Sequence, residues 1–160
     1  MQLAKAAGLR AIITSSSDEK LDHARKLGAD ETINYFVNPD WQTKVLRMTG
    51  GRGVDMVLEF GGQGTLMRSV ASTRMGGTVA IIGGVSGFGG EFQPFALIGG
   101  SRRLSGIFVG SRSMLEDLNR FLEVSKICPV VDRVFPFGEA RNAYEYLKGA
   151  KHFGKVVIEV

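Results

Sequence analysis

The sequence is poor in the residues that form disulfides, bind metals or span membranes. It has one cysteine, Cys128, and two histidines, His23 and His152, among 160 residues. A single cysteine excludes an internal disulfide and suits a reducing cytoplasm. A catalytic zinc ion needs three converging protein ligands, so these isolated residues argue against a metal site. No apolar run approaches the roughly 20 residues that cross a bilayer, and no signal-peptide pattern is present. We therefore expect a soluble cytoplasmic protein.

The excess of positive over negative charge is also small. The formal net charge is +4, and no run of Lys and Arg carries interleaved aromatic residues, which disfavours nucleic acid as a partner. The mild basic excess suits a phosphate-bearing ligand, although solvated helix faces are the better explanation. Hydrophobic residues make up 44% of the chain and charged residues 22%, the usual composition of a globular protein. This length favours one domain with a real core over two independent domains.

Short apolar runs rich in β-branched residues recur along the chain and predict strands. Their apolar residues are continuous rather than alternating, which indicates strands covered on both faces. They lie at residues 9–14, 31–35, 54–60, 77–82 and 104–109. Helical spacing fills most of the intervals, so the pattern predicts an α/β fold with a doubly wound parallel sheet. Two further strands are predicted in "PVVDRVFPF" and "FGKVVIEV".

The helices follow from capping residues and apolar stripes. We expect Asp18 to cap a helix over residues 19–27 that Gly28 ends, and Ser113 to cap another. A third helix stops at the glycine pair 50–51. A fourth helix is expected before Gly149. We expect two apolar stripes to face a core: Leu115, Leu118, Phe121 and Leu122 in the helix after Ser113, and Ala140, Ala143, Tyr144 and Leu147 in the fourth helix.

One connection is too long for an ordinary crossover. The segment "GGVSGFGGEFQPFALIGGSRR" separates the strands predicted at 77–82 and 104–109. Connections of this length without secondary structure are uncommon in compact domains. We expect either a functional loop or one short helix there.

Ligands of an open α/β sheet bind beyond the carboxyl ends of its strands. Here those ends are mostly glycine or small hydroxyl residues, which let a flat or charged ligand approach the backbone. They lie at residues 14–17, 35, 59–62, 82–86 and 108–110. A short turn needs glycine for its own sake, so a single position carries little weight. Several such ends at one edge predict a binding crevice.

The first of these ends carries three serines and a lysine: Ser15, Ser16, Ser17 and Lys20. In a dinucleotide fold the second strand ends beside the adenosine ribose, where an acidic residue binds both hydroxyls of NAD. Hydroxyl donors, a helix N-terminus and an ammonium group suit instead the 2′-phosphate of NADP. Two alternatives remain open. Asp18 is the acidic ribose ligand shifted along the turn, or the serines and Asp18 only start the helix.

Other chemically interesting residues are more isolated. Glu59 ends a predicted strand and is either a general acid or base or a structural carboxylate. Ser86 and Ser111 lie in loops without a His/Asp partner, and His152 suits an exposed loop. None of them forms a recognisable catalytic motif.

Four segments together resemble the medium-chain dehydrogenase/reductase family, above all its zinc-type alcohol dehydrogenases and quinone oxidoreductases. They read "LAKAAGLRAIITSSSDEKLDHARKLGADETINY", "TGGRGVDMVLEFGG", "MGGTVAIIGG" and "HFGKVVIEV". They occur in the family's order over the whole chain, which makes the resemblance more specific than any single motif. It covers only the carboxyl-terminal half of such an enzyme.

The resemblance implies a Rossmann-like sheet of strand order 3-2-1-4-5-6 that binds NADP, rather than NAD, across its switch point. Residues 1–127 correspond to part of the NAD(P)-binding domain, and residues 128–160 to a segment that returns to pack on the catalytic domain. The residues implied to contact the cofactor share positions at strand ends. They are Ser16, Ser17 and Lys20 at the 2′-phosphate; Tyr35 beside the adenosine; Phe60, Gly61 and Gly62 on the adenine-ribose side; Ile82, Gly83, Gly84, Phe108, Val109 and Gly110 near the nicotinamide; and Lys155 at the phosphates.

The departures from the family pattern are equally informative. The first Rossmann strand and its glycine-rich turn should precede "MQLAKAAG", and no G-x-G-x-x-G occurs in the chain. The segment "GGVSGFGG" follows the wrong strand and opens no evident helix. The family's catalytic domain, which supplies the zinc ligands and much of the substrate pocket, is also absent. The resemblance therefore assigns no catalytic residue and no metal ligand to this chain.

A sheet without its central strand has physical consequences. Two edges with unpaired N–H and C=O groups should flank the gap, so either the strands close up or another chain fills it. Apolar residues of the return segment should face solvent, namely Val130, Val131, Val134, Phe135, Phe137 and Tyr144. We therefore expect a homo-oligomer, formed through these patches and through edge pairing of residues 104–109.

Three functions are compatible with the sequence. The first is an NADP(H)-dependent oxidoreductase that transfers hydride between nicotinamide and an alcohol, aldehyde or quinone-type carbonyl, with this chain inactive alone. The second is a non-catalytic module that binds nucleotide weakly or only associates with other chains. The third is a methyltransferase that uses S-adenosylmethionine, although such proteins normally place an acid where the serines stand here.

Overall fold

The computed structural model describes all 160 residues, which form two compact units. The first unit comprises Met1 and Leu3–Ser111, and the second comprises Gln2 and Arg112–Val160. Each unit contains parallel strands and helices, so the predicted α/β class is confirmed. None of the seven α-helices combines the length and the apolar composition that a membrane crossing needs.

The first unit alternates short helices and strands. Its strands are β1 (Ile12–Ser15), β2 (Glu31–Asn34), β3 (Val54–Glu59), β4 (Thr73–Ile81) and β5 (Arg103–Gly106). Its helices are α2 (Asp18–Lys26), α3 (Trp41–Met48), α4 (Leu66–Ser72), α5 (Phe95–Ile98) and, except for its first residue, α1 (Gln2–Ala6). The helix α5 lies in the long glycine-rich connection, so the short-helix alternative for that segment is correct. The order of elements agrees with the order that the apolar runs predict.

The strands of the first unit form two separate parallel sheets. β1 pairs with β2, and β3, β4 and β5 pair in that order. No ladder joins β1 to β3, so these strands have not closed up over the position of the expected central strand. Each keeps one edge whose backbone groups have no strand partner, as the sequence predicts.

The core of the first unit lies between the helices and the inner faces of these strands. α2 buries Leu21 and Ala24, while Ile33 of β2 and Val79 of β4 are fully buried. α3 contributes one buried residue, Val45. Spacing of three residues between Leu21 and Ala24 puts them on one helix face, which is why α2 packs on β1 and β2.

The start of α2 differs from the expectation in its capping residue. Ser17, not Asp18, is the N-cap: its backbone is extended, and its hydroxyl oxygen accepts a hydrogen bond from the Lys20 amide at 3.3 Å. Asp18 is already the first helical residue. The difference arises because the hydroxyl three residues before Lys20 reaches its N–H directly.

The second unit is a two-stranded parallel sheet with helices. It contains α6 (Arg112–Ser125), β6 (Val131–Pro136), a 3₁₀ turn (Phe137–Glu139), α7 (Ala140–Lys148) and β7 (Lys155–Glu159). Ser113 lies inside α6, so the expectation that it caps this helix is wrong. No residue of α6 is buried, and the expectation that its stripe faces a core is also wrong.

The apolar residues of the second unit divide between core and surface. Phe135 and Ala143 are buried between β6 and α7, because the sheet of two strands offers α7 one face to cover. The expectation that Phe135 faces solvent is therefore wrong. Val131, Val134 and Phe137 are exposed, as expected. Tyr144 and Leu147 are also exposed, which contradicts the core-facing stripe and, for Tyr144, agrees with its expected exposure in the return segment.

A polar network ties the end of α7 to β6. The carboxylate of Asp132 accepts hydrogen bonds from the Tyr146 hydroxyl at 2.7 Å and from the Phe153 amide at 2.9 Å. The Phe153 amide and, secondarily, the Tyr146 hydroxyl lower the pKa of Asp132, and the same carboxylate raises the pKa of Tyr146. The Arg133 guanidinium lies 4.6 Å from the centre of the Tyr146 ring, a cation–π geometry. His152 lies in a loop, as expected, but is half-buried rather than exposed.

Candidate functional site

The turn between β1 and α2 presents hydroxyl groups to solvent. The Ser15 hydroxyl oxygen accepts from the Ser17 amide at 3.2 Å, and the Ser17 hydroxyl oxygen accepts from the Lys20 amide at 3.3 Å. Because both oxygens act as acceptors, their hydroxyl protons remain available for an anionic ligand. Ser16 is exposed. This turn therefore offers several donors at the N-terminus of α2, where the helix dipole also favours an anion.

The carboxylate nearest to this turn belongs to Asp18, and it is engaged by a neighbouring strand. The amide group of Asn34, the last residue of β2, donates to Asp18 Oδ1 at 2.8 Å. The Tyr35 amide donates to the Ser15 carbonyl at 3.0 Å, which places half-exposed Tyr35 next to the serine turn. Ser15, Asp18, Asn34 and Tyr35 thus form one connected edge at the ends of β1 and β2.

The end of β3 is organised around a buried carboxylate. Glu59 is 4% exposed, and its Oε1 accepts from the amides of Gly61 and Gly62 at 2.8 and 2.9 Å and from the Thr65 hydroxyl at 2.6 Å. Its Oε2 accepts from the hydroxyl of Ser69 on α4. Both oxygens are therefore engaged inside the protein. Of the two alternatives for Glu59, this geometry supports the structural carboxylate.

The residues that follow β4 are hydrogen-bonded to the end of β3. The amides of Ile82 and Gly83 both donate to the Glu59 carbonyl, at 2.8 and 3.2 Å. The amide of Gly84 has no hydrogen-bond partner, unlike its two predecessors. Phe60, next to Glu59, is half exposed. The cofactor residues expected after β3 and β4 are thus adjacent, and Gly84 retains a free donor.

Two loops at this edge are joined by further hydrogen bonds. The Ser86 hydroxyl lies 2.7 Å from the Gly61 carbonyl oxygen and 2.9 Å from that of Gln63, and the Gln63 amide donates to the Gly87 carbonyl at 2.9 Å. Gly62 adopts a φ of +84°, and a Cβ there would lie 2.4 Å from the Gly87 oxygen. The loops can approach this closely only because position 62 lacks a side chain.

The remaining predicted cofactor residues lie elsewhere. β5 ends at Gly106, so Phe108, Val109 and Gly110 follow the strand instead of continuing it to residue 109 as expected. Phe108 is 92% exposed, and the amides of these three residues donate no hydrogen bond within the protein. Lys155 is the exposed first residue of β7 and belongs to the second unit.

Sequence reasoning did not foresee the side chains that fix the site. Asn34 holds Asp18, Thr65 and Ser86 bond the loops after β3 and β4, and Ser69 on α4 binds the second carboxylate oxygen of Glu59. One signal was available, since Thr65 and Ser69 are spaced four residues apart, a spacing that would place them on one side of a helix. Ser86 gave no such signal, because its partners are carbonyl groups more than 20 residues away.

The fold and these strand ends define a Rossmann-like cofactor-binding domain. A family model described as zinc-binding dehydrogenase matches residues 1–124. The chain belongs to this family, and the resemblance to medium-chain dehydrogenase/reductase enzymes is thereby confirmed.

Individual relatives agree with the family. The chain is 44% identical to a zinc-type alcohol dehydrogenase-like protein of Schizosaccharomyces pombe, over 100% of this chain and 47% of that protein. A structure of an NAD-dependent alcohol dehydrogenase superposes with a TM-score of 0.87 at 36% identity, covering 99% of this chain and 46% of the other. The structure of a mycobacterial protein complexed with NADPH superposes with a TM-score of 0.85 at 28% identity, covering 99% of this chain and 52% of the other. The chain thus spans about half the length of these relatives.

The family name implies zinc, and the residues of this chain do not fit a zinc ion. No three His, Cys, Asp or Glu side chains come together in an arrangement that could hold a metal. Cys128 is exposed, and the buried Nδ1 of His152 has no hydrogen-bond partner. No chemical step can be derived through a metal held by this chain.

Proposed function

We propose that this chain is the cofactor-binding part of an NADP(H)-dependent oxidoreductase of the zinc-type alcohol dehydrogenase family. The reaction is hydride transfer between nicotinamide and an alcohol, aldehyde or quinone-type carbonyl. The observation that carries the proposal is the turn between β1 and α2, where Ser15 and Ser17 keep their hydroxyl protons free for an anion. Such a turn suits the 2′-phosphate that distinguishes NADP from NAD.

The choice of NADP over NAD rests on the groups around Ser16. An NAD-type site uses a carboxylate to accept hydrogen bonds from both ribose hydroxyls. Asp18 is the nearest carboxylate, and Asn34 already occupies one of its oxygens. Lys20 adds a positive charge one turn into α2. Relatives of both kinds exist, since one similar structure is NAD-dependent and another contains NADPH.

The other predicted contacts follow the same edge. We place Tyr35 and Phe60 beside the adenosine, and Gly61 and Gly62 where the backbone lets the ribose approach. Ile82, Gly83 and Gly84, followed by Phe108, Val109 and Gly110, border the nicotinamide. Bound nicotinamide supplies the hydride chemistry. The chain binds and orients it, with the free Gly84 amide as a donor for a polar ligand group.

We propose that the chain has no turnover by itself. The support is the family resemblance, which implies that the residues that choose and activate a substrate lie in the other half of the relatives and that residues 128–160 correspond to the segment that packs there. The alternative is a non-catalytic module that binds nucleotide weakly or only associates with other chains. The single cysteine is the support for a reducing, cytoplasmic location.

Calorimetric titration tests the cofactor proposal. We expect NADPH to bind the purified chain roughly tenfold more tightly than NADH, a difference of about 1.4 kcal/mol. Adenosine 2′,5′-bisphosphate and adenosine 5′-phosphate form a matched pair that isolates the 2′-phosphate from the rest of the cofactor. Equal affinities within both pairs would contradict NADP preference. Binding of none of the four compounds would support the non-catalytic alternative.

We also propose that the chain forms homo-oligomers through the outer edge of β5 and the exposed apolar residues of the second unit. β5 pairs with β4 on one side only, which leaves its other edge open to another strand. Val134, Phe137 and Tyr144 add exposed apolar surface. Sedimentation velocity at micromolar concentration should show a dimer or larger species. A single monomeric boundary would refute this.

A further inference from the structure

Glu59 hydrogen-bonds to both loops that we expect to border the cofactor. Its carboxylate binds the amides of Gly61 and Gly62, and its backbone carbonyl binds the amides of Ile82 and Gly83. All four partners are predicted cofactor residues. Glu59 therefore binds backbone amides at the ends of both β3 and β4, in addition to the bonds that Ser86 and Gln63 make between the two loops.

We propose that Glu59 is a positioning residue for the dinucleotide, an inference that rests on the proposed function. It contacts no ligand itself, because it is buried and both carboxylate oxygens are engaged. It acts by holding the Gly61 and Gly62 amides inward. These two glycines then give the cofactor a surface without side chains rather than hydrogen-bond donors.

The two oxygens of Glu59 have separable tasks. Oε1 holds the loop through Gly61, Gly62 and Thr65, whereas Oε2 holds only Ser69 on α4. A variant that affects Oε2 alone should weaken the fold without moving the loop. A variant that withdraws Oε1 should move the loop. This separation allows a positioning role to be distinguished from a contribution to stability.

Three variants use this separation. Glu59→Asp shortens the side chain by one methylene group and withdraws both oxygens, so we expect about tenfold weaker NADPH binding, because small displacements of a positioning group have large effects. Glu59→Gln keeps the length and an acceptor at Oε1, and should retain affinity within about threefold. Ser69→Ala is the matched control, with a lower Tm and unchanged NADPH affinity.

Hydrogen exchange supplies a readout in the free wild-type chain. With glycine labelled by ¹⁵N, the Gly61 and Gly62 amides should exchange slowly before NADPH is added, although their loop is partly exposed. They should exchange fast in Glu59→Asp and slowly in Ser69→Ala. Unprotected Gly61 and Gly62 amides in the wild type would overturn the proposal, even if Glu59→Asp does not fold.

The outcomes separate this inference from the proposed function. If wild-type protein binds neither NADPH nor NADH, the proposed function fails and the role of Glu59 toward the cofactor fails with it. If the wild type binds NADPH and Glu59→Asp binds it equally well, only the positioning role fails. If affinity falls in Ser69→Ala in proportion to its Tm, Glu59 acts through stability and the inference is wrong.

Discussion

Replacing Gly62 by alanine is expected to destabilise the first unit by roughly 2–5 kcal/mol and to abolish cofactor binding. Two effects add at this position. A φ of +84° is in the left-handed region, which costs a residue with a Cβ about 1–2 kcal/mol. The new Cβ would also lie 2.4 Å from the Gly87 carbonyl oxygen, and forced overpacking adds about 1–3 kcal/mol. Unfolding in urea followed by circular dichroism measures the loss.

Gly64 provides a matched control for this prediction. Its φ is +83°, nearly the same, but a Cβ there would meet nothing within 4 Å. Gly64→Ala should therefore lose only the conformational contribution of about 1–2 kcal/mol. The difference between the two variants is the steric cost of separating the loops after β3 and β4. Equal losses in both variants would show that the close approach of Gly62 to Gly87 does not exist in solution.

The second large effect is expected at the serine turn. Ser16→Asp places a carboxylate where we propose the 2′-phosphate binds, so repulsion should weaken NADPH binding by about tenfold to a hundredfold. NADH has ribose hydroxyls that a carboxylate can accept from, and its affinity should stay the same or rise. Ser16 is exposed, so the substitution should leave the fold intact.

Ser16→Asn is the control for this substitution, because it has nearly the same shape as aspartate without its charge. Titration of both variants with NADPH and NADH at low and high salt separates charge from shape, since ionic repulsion weakens as salt is added. A loss of NADPH affinity in Ser16→Asn as large as in Ser16→Asp would show that shape, not the phosphate charge, is read at this turn. Unchanged NADPH affinity in Ser16→Asp would place the 2′-phosphate elsewhere.

Local sequence patterns predicted much of the fold and little of the hydrogen bonding. Apolar runs located β1 to β4 because buried strands need such runs wherever they lie in the chain. The predicted strand at 104–109 extends further than β5 does. Phe108 and Val109 have a high strand propensity but no neighbouring strand to pair with. The stripe of α6 predicted a buried face, yet amphipathic spacing shows only which face is apolar and not whether another element covers it.

The candidate site was predictable to the extent that it lies at strand ends. The serine turn, Tyr35 and the glycines after β3 and β4 followed from topology and from the family resemblance. The role of Glu59 could not be decided from the sequence, because a general base and a structural carboxylate look the same until the partners are known. Four hydrogen bonds from Gly61, Gly62, Thr65 and Ser69 decide in favour of structure.

The hydrogen bonds between the loops after β3 and β4 bear on the entropy of ligand binding. Glu59, Gln63 and Ser86 already fix these loops in the free chain, so a ligand does not have to freeze them. Immobilising backbone costs roughly 1–2 kcal/mol per residue. Phe108, Val109 and Gly110 have no such bonds and would lose their freedom on binding. In the proposed complex the loops after β3 and β4 are thus prepared in advance, whereas ordering of the segment 108–110 subtracts from the affinity.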